Sequence, residues 1–137
     1  MAEPRVFVLD SSVLLLYFAG DSRIEGLVNK INDGVAEGYM LELCVSEIYA
    51  KLNEGLGYST ANKRLDAIKN SKIKVVKVDY DLMKVAGQIK SLHKGKLSMT
   101  SAYMIALAKN LNAVLVTSDD SIAKTNEVKV DFVKLKG

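Results

Sequence analysis

The sequence predicts an α/β fold: a mostly parallel sheet with helices on both faces. Two observations carry this. Short apolar or β-branched runs at 5–9, 39–45, 73–78, 114–117 and 128–133 alternate with longer segments of helical periodicity, and parallel strands need crossovers of that kind. The first run, Arg5-Val-Phe-Val-Leu9, ends on Asp10, and Ser11, Ser12 and an apolar helical pattern follow at once. That is a buried strand turning directly into a helix, with an acid at the carboxyl edge of the sheet, where open α/β sheets bind ligands. The 137 residues suit one domain, 1–137.

Taken in order, Pro4 precedes the first strand, and Val13, Leu14, Tyr17 and Phe18 give the first helix, stopped at Gly20. Asp21 or Ser22 caps a second helix whose face is Ile24, Leu27, Val28, Ile31 and Val35, with Gly38 as its end. The second strand is 39–45. Ser46 then caps a third helix carrying Glu47, Ile48, Ala50, Lys51 and Leu52, which Gly55 and Gly57 stop. Ser59 or Thr60 opens a fourth helix, with Leu65 and Ile68 inward. After strand 73–78, Asp79 opens a fifth helix that ends near His93-Lys-Gly95, and Ser98 caps a sixth with a close-packing face of Ala102, Ile105, Ala106 and Ala108. Strand 114–117 leads through Ser118-Asp119-Asp120 and a short helical turn to the last strand.

Composition narrows the function classes. The chain is 49% hydrophobic and 26% charged, which is ordinary for a globular protein. No apolar run approaches the roughly 20 residues a bilayer span needs, and no cleavage-like segment follows Leu9–Ala19, so neither a membrane partner nor a signal peptide is expected. One cysteine, Cys44, excludes an internal disulfide and fits a reducing cytoplasm, where it serves as a small buried hydrophobe. One cysteine and one histidine also exclude a Cys/His zinc site of the usual composition, so a metal here would be held by oxygen. The net charge of +3 permits an encounter with nucleic acid without requiring one.

The acids then fall at one edge. Asp10 ends the first strand, Glu47 is expected in the first turn of the helix after the second, and Asp119 and Asp120 follow the fourth. If the first and fourth strands are neighbours where the strand order reverses, Asp10 and Asp119 face one crevice. Two like charges about 4 Å apart repel by roughly 1 kcal/mol in water and about 4 kcal/mol at an effective dielectric of 20. A hard divalent cation removes that cost, and Mg²⁺ takes a few carboxylates while keeping waters. The competing explanation is that each acid favours a helix N-terminus, as a cap or through the macrodipole. Both stay open on placement alone. Other families with an acid after the first strand fail on spacing. A haloacid-type phosphotransferase needs Asp where Ser12 stands, a receiver domain needs an acid where Leu9 stands, and no Gly-Lys-Ser/Thr loop is present.

With Val8-Leu-Asp10-Ser-Ser12, Val45-Ser-Glu47-Ile with Leu52 beyond, Leu97-Ser98 and Val116-Thr-Ser-Asp119 set out in this order, the chain resembles a PIN-domain protein of the VapC toxin type over almost its whole length. The resemblance implies a three-layer fold, with a five-stranded parallel sheet in the order 3-2-1-4-5. It implies a Mg²⁺ or Mn²⁺ site on Asp10, Glu47 and Asp119, RNA cleavage, frequent homodimerisation and a small antitoxin partner. One position departs: the acid that the family pattern places early in the sixth helix is Ser101 here. Losing a metal-supporting partner typically costs about 10–100-fold in affinity or activity, so attenuated cleavage with one metal rather than two is expected. Asp120 could compensate, or be a solvated helix start. Ser12 and Ser118 would orient ligands or waters, or simply cap.

Lys90, Lys94 and Lys96, with His93, form a basic cluster that could track RNA phosphates or merely complement a helix C-terminus. Tyr17, Phe18, Tyr49 and Tyr58 could face a partner or pack inward. The lysines at 124, 129, 134 and 136 read as a solvated face and tail. Two functions remain: a metal-dependent ribonuclease, possessing reduced activity because of Ser101, and a binding module that keeps the fold and acts through RNA or protein contacts.

Overall fold

The computed structural model describes residues 5–135; Pro4 and Lys136 lie outside them. The elements are β1 (Arg5–Leu9), α1 (Ser11–Phe18), α2 (Ser22–Asn32), β2 (Ala36–Leu41), α3 (Glu42–Leu56), α4 (Tyr58–Asn70), β3 (Lys74–Val76), α5 (Tyr80–Leu92), α6 (Met99–Leu111), β4 (Val114–Thr117), α7 (Asp120–Ala123) and β5 (Val130–Phe132). The sheet order is β3-β2-β1-β4-β5, and all four pairings are parallel. Strand order reverses between β1 and β4, where Leu9 pairs with Val116. The fully buried Val8, Leu9, Met40 and Leu115 make the strand centres apolar on both faces, as a sheet covered twice requires.

Right-handed crossovers put α1 to α4, which connect β1, β2 and β3, on one face, and α5 to α7 on the other. α6 packs against both β1 and β4, beneath the reversal. Its residues 101, 102, 104 and 105–108 are all buried, and four of these are alanine or serine, which lets helix and sheet approach closely.

Several boundaries differ from the sequence expectation, and one of them moves a site residue. α2 ends at Asn32, with Gly34 turning the chain at φ +79°. Val35 is exposed, and Gly38 lies inside β2, paired with Phe7, and does not end a helix. A Cβ on Gly38 would stand 2.5 Å from Ile31 Cδ1, so glycine there serves the close seating of α2 on the sheet. The strand is therefore 36–41, and α3 starts at Glu42 without any side-chain cap. The expected cap, Ser46, sits inside α3 and donates its hydroxyl to the Glu42 carbonyl at 3.4 Å. Glu47 is thus in the second turn. The third helix also runs through Gly55 and stops at Gly57, φ +83°, whose backbone, not Ser59 or Thr60, begins α4. β3 and β5 are shorter than expected, at three residues each. Asp21, Asp79 and Ser98 cap their helices as expected.

Candidate metal centre

Asp10 occupies the N-cap position of α1, yet its side chain makes no cap hydrogen bond. The carboxylate turns inward, 7% exposed, and three hydroxyls hold it. Ser11 donates to Oδ1 at 3.2 Å, Ser12 to Oδ2 at 3.2 Å and Thr117 to Oδ2 at 2.7 Å. The backbone fixes the same spot, since the Asp10 amide donates to the Val116 carbonyl at 3.0 Å across the β1–β4 seam. A cap residue that does not cap is freed for another task.

Thr117 ends β4 and extends the cradle. Its Oγ1 accepts the Asp119 amide at 3.0 Å, while Ser12 Oγ accepts the Ser118 amide at 3.4 Å. Asp119 is half committed, because Oδ1 caps α7 by accepting the Ser121 amide at 2.9 Å and hydroxyl at 2.7 Å.

Glu47 belongs to the same neighbourhood. Burial first, and the Asp10 charge second, push its carboxyl above the ordinary value, while Lys51 and a hydrogen bond with Thr100 pull the other way. Its Oε1 is buried without a hydrogen-bond partner. The charges of both acids reach Cys44. Burial, then the charges of Asp10 and Glu47, push its thiol up to about 12, so it stays a neutral core residue. The macrodipole accounts poorly for Glu47, because that effect fades beyond the first turn.

Ser101 is buried, in the first turn of α6. Its amide donates to Ser98 Oγ at 3.1 Å, and Ser98 donates back to Ser101 Oγ at 2.9 Å. Its hydrogen-bond partner is Ser98, not Asp10, Glu47 or Asp119. Asp120 stays apart: it is exposed, and Lys124 pairs with it at 3.3 Å.

The basic cluster is dispersed. The Lys90 ammonium donates to the Leu97 carbonyl. His93 bonds Glu127 at 2.9 Å, and Glu127 also pairs with Lys109 at 2.7 Å. Lys109 lies eight residues beyond Ser101 on α6, roughly 12 Å along the axis. Lys94 and Lys96 are exposed. Tyr49 donates its hydroxyl to Asn62 Oδ1 at 2.6 Å, Phe18 lies under Arg64, and Tyr58 is exposed.

Among the described residues, no three His, Cys, Asp or Glu side chains form a metal-holding group. Two carboxylates, Asp10 and Glu47, feel one another's charge, and Asp119 is joined to Asp10 through Thr117. That set fits a hard cation that keeps several waters, and the orphaned Glu47 oxygen is the atom such an ion would satisfy. Thr117 and Thr100 were assigned no role from sequence. The signal for Thr117 was register, since pairing Leu9 with Val116 sets Thr117 beside Asp10.

No curated protein matches the chain. Among solved structures, DNA-bound VapBC from Salmonella typhimurium matches with a TM-score of 0.78 at 13% identity, covering 93% of this chain and 98% of the other. VapBC2 from Rickettsia felis, bound to a DNA fragment from the promoter, matches at 0.76 and 11% identity, covering 93% and 98%. VapC20 from Mycobacterium tuberculosis, a Sarcin-Ricin loop cleaving toxin, matches at 0.66 and 19%, covering 95% and 98%. These likenesses establish the fold. No helix among the described residues is long and apolar enough to cross a membrane. The PIN domain family matches residues 7–128, a stretch that contains both carboxylates, the Thr117 bridge and Ser101, and the chain belongs to that family.

Proposed function

We propose that the chain is a Mg²⁺- or Mn²⁺-dependent endoribonuclease of the VapC toxin type, acting in the cytoplasm as a homodimer and restrained by a cognate antitoxin. The observation that carries this is Asp10: a buried carboxylate at a cap position that does not cap, held by hydroxyls beside a Glu47 with an unpartnered buried oxygen. A cation accounts for both features, because the like charges of Asp10 and Glu47 repel and the buried Glu47 oxygen lacks a partner.

Asp10 and Glu47 would hold the ion, which supplies a water nucleophile and charge stabilisation at a phosphodiester. Asp10 is fixed from three sides, so its oxygens present a set direction. Glu47 brings the flexible second contact from α3. Asp119, with Oδ1 spent on α7, has Oδ2 left to accept a proton or orient a water. Ser12 and Thr117 set the position of Asp10 and of the Ser118-Asp119 backbone.

Ser101 offers no charge, and Ser98 already engages its hydroxyl, so cleavage is reduced, not abolished. This also keeps a second reading in play, a PIN fold acting by RNA or protein binding with little chemistry. The test is cleavage of a mixed single-stranded RNA panel with Mg²⁺ or Mn²⁺, with and without chelator. Chelator-sensitive cleavage that Asp10→Asn abolishes is the expected result. Cleavage by Ser101→Asp alone would select the second reading, and none from any variant would refute the nuclease.

A further inference from the structure

Glu47 and Lys51 share one face of α3. Four residues apart, they differ by about 40° around the helix axis and about 6 Å along it. Tyr49 marks the other face, because its hydroxyl donates to Asn62 on α4 at 2.6 Å. Glu47 and Lys51 each lie two residues from Tyr49, roughly 200° round the helix. α4 therefore packs on one side of α3, and these two residues look away from it. On their side stands the candidate metal centre, where Glu47 feels the Asp10 charge and hydrogen-bonds Thr100 of α6.

Lys51 is exposed and, among the described residues, has no ion-pair partner. A glutamate followed four residues later by a lysine is the favourable order for a helical ion pair. Here the pair stays open. The Glu47 carboxyl bonds Thr100 and keeps Oε1 buried, and Glu54, on the next turn of α3, makes no ion pair with Lys51 either. The Lys51 charge nevertheless reaches Glu47. An uncommitted ammonium in this place repels any cation held by Asp10 and Glu47, and a polyanionic substrate offsets that repulsion. Lys90, by contrast, is committed to the Leu97 carbonyl.

We propose that Lys51 is an RNA-binding residue of this site, its ammonium holding the phosphate next to the one under attack. This rests on the ribonuclease reading given above. Lysine binds phosphate as a point charge, with no fixed approach direction. Its four-carbon stem is flexible, so α3 fixes the root of the side chain while the tip follows a mobile single strand. One turn of helix from Glu47, that tip reaches past the metal centre to a neighbouring nucleotide. A phosphate contact carries no base information. Lys51 therefore sets the affinity and register of the strand and leaves its sequence preference to other groups.

The test compares the parent with Lys51→Gln, Lys51→Arg and a control, Lys69→Gln. Lys69 is exposed in the last turn of α4, which runs into β3, so it lies at the opposite edge of the sheet. Binding of a fluorescent single-stranded RNA is titrated in chelator, where the strand stays intact, over a range of salt. Lys51→Gln should weaken binding about threefold or more at low salt and flatten the salt slope by about 0.7, the loss of one phosphate contact. Lys51→Arg should keep the slope, and Lys69→Gln should match the parent. Mg²⁺ affinity, read from melting curves, should rise about twofold or more in Lys51→Gln, because a repelling charge has gone. A loosened helix would not weaken RNA and tighten metal together. Three results would overturn the proposal: an unchanged slope in Lys51→Gln, an equal loss in Lys69→Gln, or a parent that does not bind RNA. RNA bound through Lys51 but cleaved with no metal would refute the nuclease and uphold the contact. Cleavage with Lys51→Gln binding as the parent does would do the reverse.

Discussion

The Thr117 hydroxyl donates to Asp10 Oδ2 at 2.7 Å while accepting the Asp119 amide at 3.0 Å. One buried oxygen thereby ties the carboxylate that follows β1 to the backbone that follows β4. Thr117 is fully buried, so no water replaces it. Thr117→Val keeps the shape and removes the bridge. It should destabilise by about 1–3 kcal/mol, since an Asp10 oxygen and the Asp119 amide lose their partner. Cleavage should fall roughly 10–100-fold. Urea unfolding and RNA cleavage check the two, and Thr117→Ser should restore both.

Glu47 makes a pH-dependent contribution whose sign is fixed by its raised pKa. Its folded form holds a proton more tightly than its unfolded form. Between the ordinary value of 4.5 and the higher folded value, the native state binds more protons, so its stability falls as pH rises. Charged Glu47 then strains the metal-free protein at neutral pH. Glu47→Gln should flatten this part of the profile and raise the neutral-pH melting temperature without metal. Mg²⁺ should stabilise the parent but not Glu47→Gln. Melting curves from pH 4.5 to 7.5 decide it, and a profile unchanged by Glu47→Gln would refute the assignment.

Ser101→Asp places a third carboxylate at the start of α6. It should raise cleavage at limiting Mg²⁺ by about tenfold or more, the gain mirroring what such a partner typically supplies. Without metal the variant should be less stable than the parent, because another acid joins Asp10 and Glu47. Metal titrations of cleavage and of melting temperature measure the two effects, which should run in opposite directions.

Gly38→Ala tests the seating of α2 on the sheet. The new Cβ would meet Ile31 Cδ1 at 2.5 Å and two further Ile31 carbons at 3.2 Å. Overpacking of this kind costs about 1–3 kcal/mol. Ile31→Val removes Cδ1 and should recover part of the loss in the double variant, a non-additivity that a double-mutant cycle reads directly.

Glu127 draws its lowered pKa from Lys109 and then His93. Its contribution is present above the ordinary value of 4.5 and is lost as pH falls through the folded value. Glu127→Gln should lower stability at neutral pH and narrow the difference from the parent under acid conditions, as followed by urea midpoints.

The strands, the helix caps at Asp21, Asp79 and Ser98, and the placing of Asp10 were legible because each rests on local chemistry: β-branched runs, a short polar side chain before an apolar period, an acid closing a strand; the sheet order, a matter of distant pairings, came only with the family resemblance. The α2–β2–α3 boundaries were not, for a physical reason. Gly38 reads as a stop, but here it answers to Ile31, 7 positions away, across a helix–sheet contact. Once that boundary moves, Glu47 leaves the first turn, and the helix-dipole explanation for its acid weakens. The breadth of the carboxylate set was also hidden. Asp120 meets Lys124 in solvent, as a helix-start residue does, but the capping of α7 by Asp119 beside Thr117 was not legible. Such divisions follow from side-chain direction, which spacing does not carry.

The donors around Asp10 are hydroxyls from Ser11, Ser12 and Thr117, with no arginine or lysine among them. A hydroxyl hydrogen swings about its C–O bond without moving a heavy atom. The cradle can therefore turn its hydrogens toward the carboxylate when that is bare and away when a cation arrives, with no heavy atom required to move. Loading of the site should then add stability without being needed for the chain to fold. Chelation should switch such a protein off and leave it intact, ready for reloading, unlike domains whose metal holds the fold together.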